Sequence, residues 1–345
     1  MTNHFAAYRV ARLNAGLYPP SQDEMATFAQ YGIQPVLVAN EAPEAIIPQI
    51  ANCDALLVIS AQVPLAVIEH LKQCRVISRL GAGTDKIDVQ AATNRGILVT
   101  NVPFFCVEEQ ADHTLALLLA LARRLPQMSQ AMADGAWRRA RSQASHNQRL
   151  SHQVLGLIGF GNSARATAQR ARAFGLRVLA TRRNPSASHA EADRLGVEMV
   201  ELDRLLSQSD YVSLHLPLSA DSHHMIDEAA LRKMKPGAML INTSRGAIVD
   251  ETALVAALRT GHLAGAGLDT FEQIDVFVDS TTQPDHPLLS LDNVVLTPHV
   301  AAYSVQAAHD VTHGGIENVV AVLSGHWPPE AHIVNRDVVP RFSLI

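Results

Sequence analysis

The stretch Val154-Leu-Gly-Leu-Ile158, followed at once by Gly159-Phe-Gly161-Asn162-Ser163-Ala164, decides the fold of this chain. The first five residues are the apolar run of a buried strand, and the next six follow a Gly-x-Gly-x-x-Ala pattern that opens a helix. The first glycine allows a tight turn, the second lets a pyrophosphate approach the backbone, and the small last residue lets helix and strand pack closely. Free N–H groups at the helix N-terminus would bind the phosphates. The stretch therefore predicts a dinucleotide-binding unit.

The next strand bears on which dinucleotide is bound. A fingerprint of this kind usually has an acidic residue at the end of that strand, where it holds the ribose hydroxyls. Here the strand ends in Thr181, Arg182 and Arg183. Arginine pairs bidentately with a phosphate, whereas aspartate would repel it. The pattern favours NADP over NAD, and the alternative is that the two arginines are solvated surface residues.

Outward from this stretch, short apolar strands alternate with helices from about residue 34. Strands are predicted at 35–39, 55–60, 76–80, 99–102, 154–158, 177–180, 211–215, 238–242, 264–268 and 294–296. Helices are predicted at 64–73, 108–124, 163–174, 251–260 and 304–323, and the Arg-rich stretch 135–151 is predicted to be a surface connection. Alternating strands and helices indicate an α/β fold with parallel sheets covered on both faces.

Composition excludes several classes of protein. The 345 residues are enough for about two domains, and the net charge of −5 comes without a basic stripe, so nucleic-acid binding is not expected. Cys53, Cys74 and Cys106 are widely spaced, which suits a reducing cytoplasm better than a disulfide framework or a zinc site. The most apolar run, 114–122, is about nine residues long and too short for a membrane span. We expect a soluble cytoplasmic protein.

Many further segments, in the same order, resemble the D-isomer-specific 2-hydroxyacid dehydrogenase family. This family includes glyoxylate/hydroxypyruvate reductases, phosphoglycerate dehydrogenases, phosphite dehydrogenase and the C-terminal-binding-protein corepressors. The matching segments are Gly81-Ala-Gly-Thr-Asp85-Lys-Ile-Asp88, Asn101-Val-Pro103, Gln110-Ala-Asp112-His113, His215-Leu-Pro217, Lys235-Pro-Gly237, Ile241-Asn-Thr-Ser-Arg245-Gly246-Ala-Ile-Val-Asp250, Gly267-Leu-Asp269 and Asn293-Val-Val-Leu-Thr-Pro298-His299.

The resemblance implies a layout and an activity. Residues 1–103 and 299–345 would form a flavodoxin-like substrate domain, and residues 104–298 a Rossmann-type coenzyme domain. Both would be doubly wound parallel sheets, with a cleft between them. The resemblance also implies a homodimer that transfers a hydride between NAD(P)H and a small 2-keto acid such as glyoxylate or hydroxypyruvate.

Reduction of a 2-keto acid needs a cation for the carboxylate and an acid for the forming alkoxide. Arg245 suits the first role, because it follows an apolar strand at the edge of the sheet where ligands bind and its planar fork matches a carboxylate. His299 suits the second, because an imidazole gives and takes a proton near neutral pH. It follows the strand at 294–296.

The family pairs this histidine with a glutamate, and no glutamate stands at the expected position of this sequence. In the frame Leu268-Asp269-Thr-Phe-Glu272-Gln-Ile274-Asp275 the expected glutamate position holds Ile274, and the stretch before Pro287 is longer than the family pattern. Glu272 is the favoured candidate for the partner, and Asp275 is the alternative.

Other residues enter only through the resemblance. The loop Leu80, Gly81, Ala82 and Gly83 resembles the family's substrate loop, whose backbone N–H groups bind the substrate carboxylate. Asp269 resembles the residue that holds the nicotinamide amide. The turns that contain His215, Leu216, Pro217 and Thr243 resemble the turns that line the cofactor in this family.

A metal is not expected. His309 and His313 lie four residues apart on a predicted helix, with Glu317 one turn further, but Asp310 breaks the metalloprotease pattern. His223 and His224 are adjacent and are expected to point in different directions. Two other functions compete with 2-keto acid reduction. One is oxidation of an inorganic anion, as in phosphite dehydrogenase, and the other is non-catalytic NAD(P) sensing, as in the corepressors.

Overall fold

The computed structural model describes residues 5–40, 42–145, 147–184, 186–277 and 285–345. The chain divides into two compact units, one formed by Met1–Cys106 with Ser304–Ile345 and the other by Val107–Tyr303. His299 therefore lies in the second unit, whereas the predicted boundary placed it in the substrate domain. The longer segment before Pro287 falls partly outside the described residues, at 278–284.

The strands and helices of the described residues are as follows. The strands are β1 Val10–Arg12, β2 Val36–Leu37, β3 Ala55–Val58, β4 Val76–Arg79, β5 Leu98–Thr100, β6 Val154–Ile158, β7 Arg177–Thr181, β8 Glu198–Met199, β9 Tyr211–Leu214, β10 Ala238–Asn242, β11 Leu263–Leu268 and β12 Val294–Leu296. The helices are α1 Gln22–Gln30, α2 Pro43–Ile50, α3 Leu65–Ile68, α4 Val89–Asn94, α5 Val107–Ala122, α6 Leu125–Ala133, α7 Trp137–Ala144, α8 Asn162–Ala173, α9 Ala190–Leu195, α10 Leu202–Gln208, α11 Glu228–Lys233, α12 Glu251–Arg259 and α13 Val305–Leu323.

The first unit contains, in its described residues, a five-stranded parallel sheet in the order β2-β1-β3-β4-β5. This is the flavodoxin-type order of a doubly wound sheet. One face of the sheet is covered by an apolar cluster that includes Phe28 of α1 and Ile316 and Val319 of α13. The C-terminal helix thus completes a core begun by the N-terminal strands.

The second unit contains, again in its described residues, a seven-stranded parallel sheet in the order β8-β7-β6-β9-β10-β11-β12. The order runs outward from β6 in both directions, which is the Rossmann arrangement with one strand added. Two separate apolar clusters cover its faces, with Leu254 of α12 in one and Leu117 of α5 in the other. The predicted α/β fold with two doubly wound parallel sheets is confirmed.

Single glycine and serine residues mark the ends of several helices. Gly175, one residue past the C-cap of α8, has a φ of 84°, and Gly261 has a φ of 73° just past α12. Both adopt the left-handed conformation that ends a helix at small cost only for glycine. Ser304 caps α13 by accepting a hydrogen bond from the Ala307 N–H. These residues fix where the helices stop and start.

Other elements were not anticipated. The sheet of the first unit begins at β1, well before residue 34, and β8 is a further short strand. The stretch 135–151, predicted to be a connection, contains α7. The polar and Arg-rich sequence of α7 buries little beyond Ala140, so it lacks the apolar stripe by which a helix is recognised. No helix among the described residues has the length and apolar character needed to cross a membrane.

Candidate active site

The carboxyl ends of six neighbouring strands of the second unit lie in register. Ile158 of β6 pairs with Thr181 of β7 and with Leu214 of β9. Asn242 of β10 pairs with Leu214 and Leu268, and Leu268 of β11 in turn pairs with Leu296 of β12. The residues that follow these strand ends are Arg182, Gly159, His215, Thr243, Asp269 and Thr297. The register therefore brings most of the predicted cofactor and catalytic residues of this unit to one edge of one sheet.

The phosphate loop begins with a glycine that cannot be replaced without strain. Gly159 has a φ of 97°, and a Cβ there would lie 2.2 Å from the carbonyl oxygen of His215. A Cβ on Gly161, by contrast, would meet nothing within 4 Å, so this side of the loop is open. Gly161 is the N-cap of α8, and no side chain caps that helix. An open helix N-terminus without a cap suits a pyrophosphate.

His215 stiffens the turn beside this loop. Its Nδ1 lies 3.2 Å from the Ser163 hydroxyl, and its Nε2 lies 3.0 Å from the Ser213 hydroxyl. Burial lowers the pKa of His215 to about 4, so the ring is neutral at physiological pH. Its neighbour Leu216 packs against the core, and the Pro217 carbonyl accepts a hydrogen bond from Ser222. His215 thus positions the turn and brings no charge to a phosphate.

The end of β7 is basic, as the sequence indicates. Thr181, Arg182 and Arg204 are among the residues that line a cavity of about 370 Å³, and Glu201 lines it as well. The guanidinium of Arg182 donates to the carbonyls of Ala187 and Ser188, while its Nε is buried without a hydrogen-bond partner among the described residues. The Arg183 side chain is 86% exposed and lies 3.4 Å from an Asp221 carboxylate oxygen. This cavity carries donors suited to an anion.

The turn that carries Arg245 is tightly specified. The buried Asn242 side chain accepts from the Ser244 N–H and donates to the Arg245 carbonyl, and the Ser244 hydroxyl donates to the carbonyl of Leu214. Thr243 is held by Thr114, whose hydroxyl oxygen lies 3.0 Å from its own. A Cβ on Gly246 would lie 1.9 Å from the Phe271 carbonyl carbon. The turn after β10 therefore lies directly against the segment after β11.

Asp269 organises the turn that carries His299. One carboxylate oxygen accepts from the Thr297 hydroxyl at 2.6 Å and from the Val300 N–H at 2.9 Å, and the other accepts from the Ala301 N–H at 2.9 Å. The His299 N–H donates to the Asp269 carbonyl at 2.8 Å. These bonds hold His299 at a φ of 57°, a left-handed conformation that costs a non-glycine residue roughly 1–2 kcal/mol.

The resemblance assigned Asp269 to the nicotinamide amide, and that role stays a prediction. The structure gives the residue a different set of contacts, since both of its oxygens already accept hydrogen bonds from the 297–301 turn. Asp269 is completely buried, and the His113 Nε2 lies 3.5 Å from its Oδ1. This positioning role was not predictable from the sequence, because two of the three donors are backbone N–H groups whose direction depends on the folded turn.

Phe277 is a site residue that the sequence did not reveal. Its ring lies 5.2 Å from the His299 ring, centroid to centroid, at an interplanar angle of 46°. The Asp275 carboxylate accepts a hydrogen bond from the Phe277 N–H at 3.0 Å, which fixes the turn between them. The described part of the longer segment therefore brings an apolar ring to the candidate acid.

Glu272 lies against two histidines. Its carboxylate oxygens are both 2.9 Å from the His224 Nε2, and one of them is 3.7 Å from the His223 Nε2. The expectation that His223 and His224 point in different directions is wrong. Their rings stack at 4.0 Å because His224 adopts a φ of 49°, which turns it back onto its neighbour. For Glu272 to act as the partner of His299, it would have to leave these two rings, and that role stays a prediction.

Glu251 holds both ends of the longer segment. Its oxygens accept from the N–H groups of Glu272, at 2.7 Å, and Gln273, at 3.3 Å, and one of them lies 3.2 Å from the His286 Nε2. Glu251 is buried at the start of α12. The sequence did not single it out, because an acidic residue in the first turn of a helix is ordinary.

The loop after β4 lies in the first unit. Gly81 has a φ of 144°, and its N–H donates to the Arg79 carbonyl at 3.0 Å. The Asn101 side chain donates to the Ala82 carbonyl at 2.6 Å. Leu80 is buried against Gly315, where a Cβ would lie 2.1 Å from the leucine side chain. Ala82 is exposed and Gly83 is half-buried, so the tip of this loop is open to a ligand.

Comparison with known proteins gives the class of this protein. The family model of the D-isomer specific 2-hydroxyacid dehydrogenase NAD-binding domain matches residues 115–301. A glyoxylate reductase of Korarchaeum cryptofilum is 40% identical over 308 residues, which are 87% of this chain and 89% of that protein. A D-lactate dehydrogenase of Aquifex aeolicus, solved with NAD and lactic acid, is 27% identical with a TM-score of 0.84, over 94% of this chain and 99% of that one. An acyclic imino acid reductase solved with NADPH and D-Arg is 28% identical with a TM-score of 0.80, again over 94% of this chain and 99% of that one.

The chain belongs to the D-isomer specific 2-hydroxyacid dehydrogenase family. It is an oxidoreductase that acts on hydroxyacids with a nicotinamide cofactor. The open, uncapped start of α8 and the basic end of β7 fit such a cofactor.

Proposed function

We propose that this enzyme reduces a small 2-keto acid, of the glyoxylate or hydroxypyruvate type, to the D-2-hydroxy acid, and that NADPH is its preferred cofactor. The register of the six strand ends in the second unit carries the proposal, because it gathers the phosphate loop, Arg245 and the His299 turn at one edge of the sheet. The similarity to glyoxylate reductases supports the choice of substrate. Homodimer formation and a cytoplasmic location are further parts of the proposal, which light scattering and cell fractionation would test.

When bound, NADPH would supply a hydride for the carbonyl carbon of the keto acid. Arg245 binds the substrate carboxylate with its planar fork and polarises the carbonyl. His299 donates a proton to the oxygen that becomes the alcohol. The N–H groups of Asn162 and Ser163 bind the cofactor phosphates, and by family resemblance the loop after β4 would supply N–H groups for the substrate carboxylate. The Phe277 ring excludes water from one side of His299.

The NADPH preference is supported by the charge at the end of β7. The position where an acid holds a ribose hydroxyl is occupied by Thr181 and Arg182. Arg183 is exposed, and turning toward a phosphate costs it only a 3.4 Å surface ion pair with Asp221. A hydrogen bond between a charged group and a phosphate contributes about 1.5–3 kcal/mol. We therefore expect kcat/KM to favour NADPH over NADH by about 10- to 150-fold.

The cofactor preference is tested by steady-state kinetics of Arg183→Ala and Arg182→Ala with both cofactors. Each variant should lower kcat/KM for NADPH at least tenfold and leave the value for NADH nearly unchanged. Arg232→Ala is the matched control, since Arg232 is exposed and forms an ion pair within α11. Equal losses for both cofactors would overturn the preference.

The substrate is tested by the rate of NADPH oxidation with glyoxylate, hydroxypyruvate, pyruvate and longer 2-keto acids. Glyoxylate and hydroxypyruvate should give the highest kcat/KM, and Arg245→Ala should abolish most of it. NADP reduction that depends on phosphite, in the absence of any 2-keto acid reaction, would instead support oxidation of an inorganic anion. Tight NADPH binding without any turnover would support a sensing role.

The partner of His299 is tested by the pH profile of kcat for Glu272→Gln and Asp275→Asn. A carboxylate beside the imidazole favours its protonated form, which is the acid in the reduction. Loss of the true partner should therefore move the alkaline limb of the profile to lower pH. The variant that removes only a structural contact should keep the limb in place.

A further inference from the structure

A cluster of possible metal ligands lies in the first unit, on the sheet face covered by α1 and α13. The Asp23 carboxylate of α1 is 3.0 Å from the His309 Nδ1 and 3.3 Å from the His313 Nε2, both on α13. The two imidazole rings lie 3.8 Å apart, centroid to centroid. One carboxylate oxygen is thus shared by two histidine nitrogens.

These separations match a metal's coordination sphere. Bonds of about 2.0–2.1 Å at a tetrahedral angle place the ligand atoms roughly 3.3 Å apart. The three ligand atoms lie within 4.8 Å of one another, and the histidines are four residues apart on a helix, so both face the same side. Little movement is needed for all three to reach one ion.

The surroundings favour an ion that keeps one open position. The His313 side chain is 24% exposed, and Asp23 and His309 are about half exposed, so water can reach the fourth position. The buried Thr27 hydroxyl donates to the Asp23 carbonyl, and its oxygen lies 2.9 Å from the His313 Nε2. A metal ion at the Nε2 would replace that second contact, because a coordinating imidazole nitrogen carries no proton. The helices themselves are anchored by the buried residues Phe28 and Ile316.

We propose that Asp23, His309 and His313 bind a divalent transition metal such as Zn²⁺, which ties α1 to α13. From the sequence, only Glu317 was a candidate for a third ligand beside the two histidines. Asp23 could not be recognised, because it lies 286 residues away from His309. Two imidazoles and a carboxylate are ligands that Zn²⁺ accepts. Because the ion would join the two ends of the discontinuous unit, its binding stabilises the fold and takes no part in hydride transfer.

The test uses the full chain, free of any affinity tag and stripped of metal. A second cluster, at His223, His224 and Glu272, could also bind an ion, so both of those histidines are replaced by alanine in every sample. Calorimetric titration with Zn²⁺ should show one equivalent bound. Zn²⁺ at a hundredfold excess over its Kd should raise the Tm by about 5 °C.

Asp23→Asn and His309→Ala should weaken Zn²⁺ binding at least tenfold and abolish the rise in Tm. His326→Ala is the matched control, because this exposed histidine lies just past α13 and outside the cluster; it should behave as the parent does. The proposal is overturned if the two cluster variants bind Zn²⁺ with the parent's affinity, or if no equivalent is bound at all. NADPH oxidation by the Asp23→Asn and His309→Ala variants should equal that of the parent that lacks His223 and His224, so failure of this proposal and failure of the proposed function are distinguishable.

Discussion

Replacement of Asp269 by asparagine tests how the candidate acid is positioned. The carboxylate accepts three hydrogen bonds from the turn that follows β12, and one amide group can keep only part of them. In Asp269→Asn the new NH₂ faces either the Ala301 N–H or the Val300 N–H and the Thr297 hydroxyl. A buried N–H is then left without an acceptor, and the charge that strengthens the remaining bonds is lost.

The expected magnitude follows from these contacts. A lost hydrogen bond to a charged group costs about 1.5–3 kcal/mol. The left-handed His299 adds roughly 1 kcal/mol of strain that the turn no longer offsets. A total of about 2–4 kcal/mol at 1.36 kcal/mol per tenfold corresponds to a fall in kcat of about 30- to 1,000-fold. The KM for NADPH should change little, because the phosphate loop and the end of β7 are untouched.

The assay is steady-state reduction of glyoxylate at saturating NADPH, with circular dichroism to confirm folding. Asp292→Asn, in the exposed loop before β12, is the control and should retain the parent's kcat. A kcat within about threefold of the parent would refute a positioning role. A raised KM for NADPH with kcat intact would instead support the role implied by the family resemblance, contact with the nicotinamide amide.

Three further predictions concern stability and the turns of the site. Glu24→Gln should lower the free energy of unfolding by about 3–5 kcal/mol, measured by denaturant unfolding, because it removes the carboxylate charge that compensates the buried Arg12 guanidinium; a loss below 1 kcal/mol would contradict this. His215 is neutral in the fold, with a pKa of about 4, so between pH 6.5 and 4 only the unfolded chain takes up its proton and stability falls as the pH decreases. His215→Asn should remove up to about 3 kcal/mol of that pH dependence, and an unchanged slope would exclude it. Gly246→Ala should abolish most activity, since its Cβ would overlap the Phe271 backbone; full activity would show that the Arg245 turn is not constrained in this way.

The sequence predicted the part of the site that depends on strand ends. Gly159, Arg182 and Thr243 follow strands whose apolar runs are unmistakable, and parallel pairing then places them in one row. The α/β fold was predictable for the same reason. The Gly-x-Gly turn needed no tertiary information either, because the conformation of Gly159 is a local property.

The sequence could not predict contacts that depend on a local turn or on distant segments. His223 and His224 were expected to diverge, as adjacent side chains usually do, but the left-handed backbone of His224 stacks them. Phe277 reaches His299 through a turn fixed by its own Asp275. Asp23 meets His309 only because α1 and α13 share a sheet face. α7 was missed because it lacks an apolar stripe.

The most direct measurement is the identity of the product formed from hydroxypyruvate with NADPH, resolved by chiral chromatography. The proposed function predicts D-glycerate, one equivalent for each NADPH oxidised, and almost none with His299→Asn. L-glycerate, or NADPH binding without any glycerate formed, would contradict it.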